Sequence, residues 1–165
     1  MIYLSIGSNL NSKFGNRFDN ITKAINLLRN NKIKIKKISN FFETPSYPNK
    51  KNPKFINIII EIEYSLKPEH LLKEIFMVER KMDRKRNLKN APRTCDIDII
   101  DYSQKNMLFT NIDLKIPHPR MHNRSFVLFP LFEIDKNWKH PKNNKKITQL
   151  LNNLPTTSLR SIKIL

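Results

Sequence analysis

The 165-residue chain is poor in several residue types, and each shortage excludes a class of protein. Cys95 is the one cysteine, so no internal disulfide forms and a secreted domain held together by disulfides is excluded. Gly7 and Gly15 are the two glycines, which leaves no glycine-rich phosphate loop and no G-x-x-x-x-G-K-[ST] motif. Apolar runs fall well short of the roughly 20 residues of a membrane-spanning helix. The N-terminal residues lack the basic and apolar regions of a signal peptide, so we expect a cytoplasmic protein.

Acidic residues are also scarce, with 14 Asp and Glu against 31 Lys and Arg, and the net charge is +17. This charge favours an anionic partner, such as a nucleic acid, a phosphorylated metabolite or an acidic membrane. The lysines are scattered and indicate a solvated surface. Most arginines instead gather in two short segments: Arg80, Arg84, Arg86 and Arg93, then Arg120 and Arg124. Because arginine presents a rigid fork of donors suited to phosphate, we expect these segments to bind one.

Hydrophobic periodicity predicts six main elements in the order β-α-β-β-α-β. They are a strand at 2–6, a helix at 16–30, a strand from 33 to 41 or 42, a strand at 55–64, a helix at 68–82 and a strand at 96–102. Residues 107–110 are predicted to form a hairpin mate of the last strand, 124–132 a buried helix or turn, and 147–154 a short helix. This order is typical of the ferredoxin-like α+β sandwich, an antiparallel sheet with both helices on one face, here with a C-terminal extension. The fold hosts many functions and indicates none of them by itself.

Two aspartates in the last predicted strand carry the first chemical signal. Alternation places Asp96 and Asp98 on one face, about 6.5–7 Å apart at the backbone, while Ile97 and Ile99 point to the core. Two carboxylates on one face repel each other unless a cation or an arginine neutralises them. Such oxygen ligands suit Mg²⁺ held together with substrate phosphates. The alternative is a surface pair that forms salt bridges with nearby Lys or Arg.

The neighbouring residues favour the metal interpretation. Arg93 lies just before the aspartates, and Arg84 and Arg86 lie on a polar, basic segment upstream. Carboxylates that hold a metal beside arginines that hold phosphate oxygens form the pattern of phosphoryl transfer. A second segment at 116–126 offers His, Arg and Phe side chains, although a histidine between two prolines more often packs a loop. Cys95 is most simply a core residue.

These residues resemble a known family. The pattern K-x-A-P-R-T-x-D-I-D-I-I at 89–100 resembles the signature of 6-hydroxymethyl-7,8-dihydropterin pyrophosphokinase, from folate biosynthesis. Four further segments resemble the family in the same order: 5–10, 42–45, 55–57 and 117–131. The resemblance extends over nearly the whole chain and implies the ferredoxin-like fold predicted above.

The resemblance implies transfer of pyrophosphate from ATP to the pterin hydroxymethyl group, with release of AMP. Asp96 and Asp98 would hold two Mg²⁺ ions and, together with Arg84 and Arg93, form the catalytic set. The positions that match ATP-binding residues are Glu79, Arg84, Arg86, Arg93, Ile99, His118 and Arg124. The positions that match pterin-binding residues are Thr44, Pro45, Phe55, Asn57 and Phe126, with the two phenylalanines stacking on the ring.

The chain departs from the family pattern around the loop at 83–93. Asp83 replaces a usual glycine, and Asn90 and Ala91 stand where an aromatic residue and a glycine are common. Asp113 and Lys115 stand where some members have Arg and Thr. We therefore expect loop closure over ATP and the adenosine contacts to differ from those of the family.

Two other functions compete with this hypothesis. The charge of +17 favours a basic RNA-binding module on a ferredoxin-like sheet, although the glycine-containing aromatic motifs of such modules are missing. The aspartate pair also fits a metal-dependent phosphohydrolase that needs no pterin. We expect a monomer with ATP and the pterin as partners and neither nucleic acid nor membrane. We expect the 165 residues to form one pyrophosphokinase domain at 1–165, without a fused second enzyme.

Overall fold

An antiparallel sheet organises the computed structural model of the chain, which describes residues 1–85 and 90–165. The strands are β1 (Ile2–Ser8), β2 (Lys34–Ile38), β3 (Phe42–Thr44), β4 (Phe55–Glu63), β5 (Asp96–Tyr102), β6 (Met107–Leu108), β7 (Lys115–Ile116) and β8 (Lys163–Ile164). Six of them form the main sheet in the order β5-β1-β4-β3-β8, and β2 pairs with β4 as well. Because β2 and β3 together take the place of one strand beside β4, the core of the sheet keeps the predicted ferredoxin-like order.

Within the described residues, five α-helices accompany the sheet: α1 (Arg17–Asn30), α2 (Pro68–Lys81), α3 (Ser125–Ile134), α4 (Ile147–Asn152) and α5 (Thr156–Ser161). A capping box starts α1, because the Asn16 side chain accepts from the Asp19 N–H while the Asp19 carboxylate accepts from the Asn16 N–H. Proline is tolerated in the first turn of a helix, and Pro68 opens α2 there. In the described part of the chain, no helix combines the length and the apolarity that a membrane span requires.

Both faces of the sheet are buried, which explains the continuous apolar run of β4. Ile56, Ile58 and Ile60 lie on the face that packs against α1 and α2. Ile59 lies on the opposite face, within a second core built mainly by α3, α4 and the buried Trp138. The C-terminal extension therefore covers the sheet face opposite α1 and α2, and the aspartates of β5 belong to this covered face.

The structure corrects three details of the predicted elements. The strand predicted from 33 to 41 or 42 is broken, because the Ser39 Oγ accepts the Ile59 N–H at 3.0 Å in place of a backbone carbonyl. The predicted pairing of 107–110 with β5 is wrong, since β6 pairs with β7 in a separate two-stranded sheet. Helix α5 and strand β8, which pairs with β3, were not predicted.

Candidate active site

Three adjacent strands place Asn57, Gly7 and Asp96 in one row across the sheet. Gly7 of β1 pairs with Asn57 of β4 on one side and with Asp96 of β5 on the other. A Cβ atom on Gly7 would lie 2.9 Å from Asn57 Oδ1 and 3.5 Å from Phe55 Cδ1. Because Gly7 has no side chain, the side chains of Phe55 and Asn57 have room above β1, in the same row as Asp96.

Asp96 lies between two guanidinium groups. Its Oδ1 pairs with Arg84, and its Oδ2 lies 2.6 Å from Arg93 Nη2. Burial acts to raise the pKa of Asp96, but the positive charges of Arg84 and Arg93 outweigh it, and the net pKa is below the ordinary value of an aspartate. Asp96 is therefore ionised at neutral pH and holds two arginines at the same point of the sheet.

Asp98 has a separate set of partners, supplied by the segment that precedes α3. Arg124 Nη1 lies 3.3 Å from Asp98 Oδ2, and His118 Nε2 lies 3.8 Å from the same oxygen. The His118 Nδ1 accepts the Arg120 N–H at 3.2 Å, so in the neutral ring Nε2 carries the proton and points towards Asp98. Burial lowers the pKa of His118, and Arg124 and Arg120 lower it further against the opposing charge of Asp98.

The residues predicted to bind the pterin lie beside these arginines. Asn57 Nδ2 donates to Thr44 Oγ1 at 3.1 Å, and both residues are buried. The Arg93 guanidinium lies 5.1 Å from the centre of the Phe55 ring, within the range of a cation–π contact. The guanidinium of Arg124 lies 5.3 Å from the ring of Phe126 in the same way. Each predicted stacking ring thus contacts an arginine that pairs with one of the two aspartates, and half-buried Pro45 directly follows Thr44.

Two of the residues predicted to bind ATP, Glu79 and Ile99, have buried side chains. Glu79 is 2% exposed, and its carboxylate pairs with Arg84 and accepts the Ile97 N–H at 2.9 Å. Its described role is thus to position Arg84 against β5. The side chain of Ile99 lies in the core with α1 and α2, on the face away from the aspartates. Its predicted contact with ATP would therefore involve its backbone, and that contact stays a prediction. Arg86 lies outside the described residues.

Asp83, which stands where the family usually has a glycine, adopts a backbone conformation that favours glycine. Asp83 adopts φ +58°, a left-handed conformation that glycine takes most easily and that aspartate tolerates better than most residues. Its carboxylate pairs with Lys13 Nζ at 2.8 Å, and both side chains are more than half exposed. The far end of the loop is tied back by the Thr94 hydroxyl, which donates to the Met82 carbonyl at 2.6 Å. The loop that carries Arg84 and Arg93 thus has fixed ends.

The donor set of the aspartate pair fits a magnesium ion. Asp96 and Asp98 lie on one face of β5 and supply hard carboxylate oxygens, as Mg²⁺ prefers when substrate phosphates complete its shell. Over residues 1–85 and 90–165, no group of three or more His, Cys, Asp or Glu side chains is placed to hold a metal. Arg93 Nε is buried and has no hydrogen-bond partner among these residues, and a phosphate oxygen would satisfy it. The site therefore suits a metal-bound polyphosphate.

Comparison with known proteins agrees with this geometry. A family model described as 7,8-dihydro-6-hydroxymethylpterin-pyrophosphokinase (HPPK) matches residues 3–136. The chain is 36% identical over 148 residues to the 2-amino-4-hydroxy-6-hydroxymethyldihydropteridine pyrophosphokinase of Aquifex aeolicus, covering 90% of this chain and 88% of that enzyme. It is 38% identical over 140 residues to the folic acid synthesis protein fol1 of Pneumocystis carinii, covering 85% of this chain and 18% of that protein. The chain belongs to the 7,8-dihydro-6-hydroxymethylpterin-pyrophosphokinase family.

A longer relative and a solved structure extend the comparison. The chain is 42% identical over 140 residues to the bifunctional protein FolKE of Lactococcus lactis, of which it spans 38%. The Plasmodium falciparum HPPK-DHPS structure with pteroate superposes with a TM-score of 0.69 at 17% identity, over 92% of this chain and 41% of that chain. These findings confirm the predicted family and α+β fold, and with them an ATP-dependent diphosphokinase of folate biosynthesis. They give no support to an RNA-binding module.

Two residues of the cluster were missed as functional candidates. Gly7 and Asn9 both lie in the segment at 5–10 that resembles the family, but neither carries a charge or a ring that marks a site. A glycine in an otherwise apolar strand was the available signal for Gly7, because such a glycine often marks a close approach. Asn9 gave no comparable signal, because its hydrogen-bond partners Ser46, Pro53 and Arg93 lie on two other loops.

Proposed function

We propose that the chain transfers the pyrophosphoryl group of ATP to the hydroxymethyl group of 6-hydroxymethyl-7,8-dihydropterin. The observation that carries this proposal is the position of Arg93, which pairs with Asp96 at 2.6 Å and lies 5.1 Å from the Phe55 ring. One side chain thereby joins the phosphate side of the site, which contains Asp96 and its arginines, to the pterin side, which contains Phe55 and Asn57. Such close placement of two substrates is what a direct transfer between them requires.

The pterin side works through shape and polar matching. The flat pterin ring stacks between Phe55 and Phe126, and the Asn57 amide forms hydrogen bonds with the polar edge of the ring. Thr44 holds the Asn57 amide by a 3.1 Å hydrogen bond, so the amide is oriented before the pterin arrives. Pro45 and the backbone of Thr44 line the remaining edge of the pocket.

The phosphate side works through charge. Arg84, Arg93, His118 and Arg124 surround the two aspartates and donate to phosphate oxygens, where negative charge develops during the transfer. Asp96 and Asp98 would hold Mg²⁺, which would supply positive charge to the phosphates and make the attacking hydroxyl more acidic. The hydroxymethyl oxygen then bonds to the β-phosphorus, the bond from that phosphorus to the α-phosphate oxygen breaks, and AMP leaves. The hydroxyl proton passes to water.

Several finer predictions belong to this proposal. They are two Mg²⁺ ions, the role of Arg86 in ATP binding, a monomeric protein, a cytoplasmic location, one domain at 1–165, and neither a nucleic-acid nor a membrane partner. Equilibrium sedimentation tests the monomer. The number of ions follows from the Mg²⁺ dependence of the rate.

The direct test is AMP release from ATP and Mg²⁺, with and without the pterin. We expect AMP and the pterin diphosphate in equal amounts, and AMP only when the pterin is present. Release of phosphate or diphosphate without the pterin would instead favour the phosphohydrolase. Tight, strongly salt-dependent binding of RNA by a protein that makes no AMP would favour the RNA-binding module.

A further inference from the structure

Asn9 holds three separate segments of the chain together at the edge of the candidate site. It follows β1 directly and is only 2% exposed. Its backbone N–H donates to the Arg93 carbonyl at 3.1 Å, and its Oδ1 accepts the Arg93 N–H at 2.7 Å. These two bonds fix the backbone of the arginine that pairs with Asp96.

The side-chain amide nitrogen of Asn9, Nδ2, has partners on a different loop. Nδ2 donates to Ser46 Oγ at 3.1 Å and to the Pro53 carbonyl at 3.0 Å. The Ser46 hydroxyl also donates to the Pro53 carbonyl, which closes the loop upon itself. Ser46 follows Thr44 and Pro45, and Pro53 precedes Phe55, so both ends of this loop carry residues of the pterin side.

The side chain of Asn9 therefore uses its acceptor towards Arg93 and its donors towards the pterin loop. An asparagine can serve both partners at once because its amide has an acceptor at one end and two donors at the other. Because Asn9 is buried, breaking one of these bonds leaves a buried polar atom unpaired, at a higher cost than at the surface.

We propose that Asn9 is a positioning residue that couples pterin binding to the placement of Arg93, and thereby to ATP. The inference rests on the proposed function. When the pterin orders the loop that carries Ser46 and Pro53, Asn9 transmits that order to the Arg93 backbone. By linkage, each substrate then binds more tightly when the other is present.

The test measures this coupling by binding alone. The affinity for 6-hydroxymethylpterin is measured by fluorescence with and without Mg²⁺ and an ATP analogue that has a methylene group between its α- and β-phosphorus atoms. In the parent protein, we expect the analogue to tighten pterin binding about fivefold or more, the lower end of typical coupling factors. A parent protein without coupling would overturn the inference.

Asn9→Asp separates the two halves of the contact. It keeps the oxygen that accepts the Arg93 N–H but removes the donors to Ser46 and Pro53, so we expect the coupling factor to fall towards one. The affinity for the analogue alone should stay within about twofold, as Arg93 keeps its partner. Ser46→Ala removes one loop acceptor and should lower the coupling in the same direction. Asn153→Asp, an exposed position in the C-terminal region, is the matched control.

A structural role without coupling gives a different pattern. If the Asn9→Asp and Ser46→Ala proteins unfold at a lower temperature but keep the parent coupling factor, the inference is wrong. AMP formation by the parent protein separates this failure from failure of the proposed function. A parent that forms AMP from ATP and the pterin while the variants keep full coupling contradicts only the role of Asn9.

Discussion

The guanidinium of Arg93 lies 5.1 Å from the centre of the Phe55 ring. The same group pairs with Asp96 at 2.6 Å, and its buried Nε has no hydrogen-bond partner among residues 1–85 and 90–165. The Phe55 ring and the Asp96 carboxylate are therefore in contact with one cation. This arrangement makes Arg93 the residue at which the two proposed substrates meet.

Replacing Arg93 by lysine tests the need for this geometry. Arg93→Lys keeps the positive charge but loses the planar fork that reaches Asp96 and a phosphate together. We expect kcat for AMP formation to fall by about 10²-fold or more, as when one preorganised donor to developing charge is removed. Steady-state kinetics measures the effect. Arg29→Lys, at the exposed end of α1, is the matched control and should leave the rate unchanged.

Gly7→Ala tests the space between the strands. The added Cβ atom would meet Asn57 Oδ1 at 2.9 Å and Phe55 Cδ1 at 3.5 Å, so the amide must shift. We expect pterin affinity to fall about tenfold or more, since each unmade hydrogen bond to a buried group costs about 1–3 kcal/mol. Affinity for the ATP analogue should change much less. Isothermal titration with each ligand separates the two effects, and an equal loss for both ligands would contradict this account of Gly7.

The ionisation of His118 tests the charges around Asp98. Burial and the nearby arginines lower the pKa of His118, so in the metal-free protein its ring should titrate below the ordinary histidine value of 6.5. Asp98→Asn removes the negative charge that opposes this shift, and the pKa should fall further. NMR titration of the imidazole protons measures both values, with His118→Gln used for assignment. Titration above 6.5 in the parent protein would be incompatible with the described surroundings.

The low pKa of Asp96 predicts a stability that depends on pH. Since the carboxylate is favoured in the folded state, it contributes stability above the unfolded pKa of 3.8 and loses this contribution as pH falls through the lower folded value. At pH 7, we expect Asp96→Asn to lower the free energy of unfolding by about 3 kcal/mol, the lower end for a broken buried pair, because Arg93 loses its carboxylate partner while Arg84 keeps Glu79.

Urea unfolding at several pH values measures this contribution. The difference between the parent protein and Asp96→Asn should be largest at neutral pH and shrink below pH 3.8. Asp113→Asn, at an exposed position, is the control. A difference that grew as the pH fell would show that Asp96 is not held ionised by its arginines.

The central strands were predictable because their residues carry a strong local pattern. Strand β4 contains isoleucines at 56 and 58–60, and alternation in β5 places Asp96 and Asp98 together. Strand β8 has two residues, too few for any period, and pairs with Phe42 far upstream. The break at Ser39 depends on a hydroxyl that accepts a bond from β4, which no local pattern indicates.

For the candidate site, the sequence indicates which types of residue gather near Asp96 but not which of them contact one another. The types of residue around Asp96 indicate a charged cluster, but the choice of Arg84 and Arg93 as its partners depends on how the loop folds back. Glu79 lies on the buried face of an amphipathic helix, and its pairing with Arg84 emerges only when α2 meets β5. Asn9 requires two further loops to converge on it.

The central claim is that Asp96 and Asp98 support pyrophosphoryl transfer from ATP to the pterin. Its most direct test is the rate of AMP formation with ATP, Mg²⁺ and 6-hydroxymethyl-7,8-dihydropterin in the parent protein, in Asp98→Asn and in the double variant Asp96→Ala/Asp98→Ala, each checked for folding by circular dichroism. We predict pterin-dependent AMP formation in the parent protein, a fall of about 10³-fold in Asp98→Asn, and none above background in the double variant. Undiminished AMP formation by a folded double variant would contradict the account.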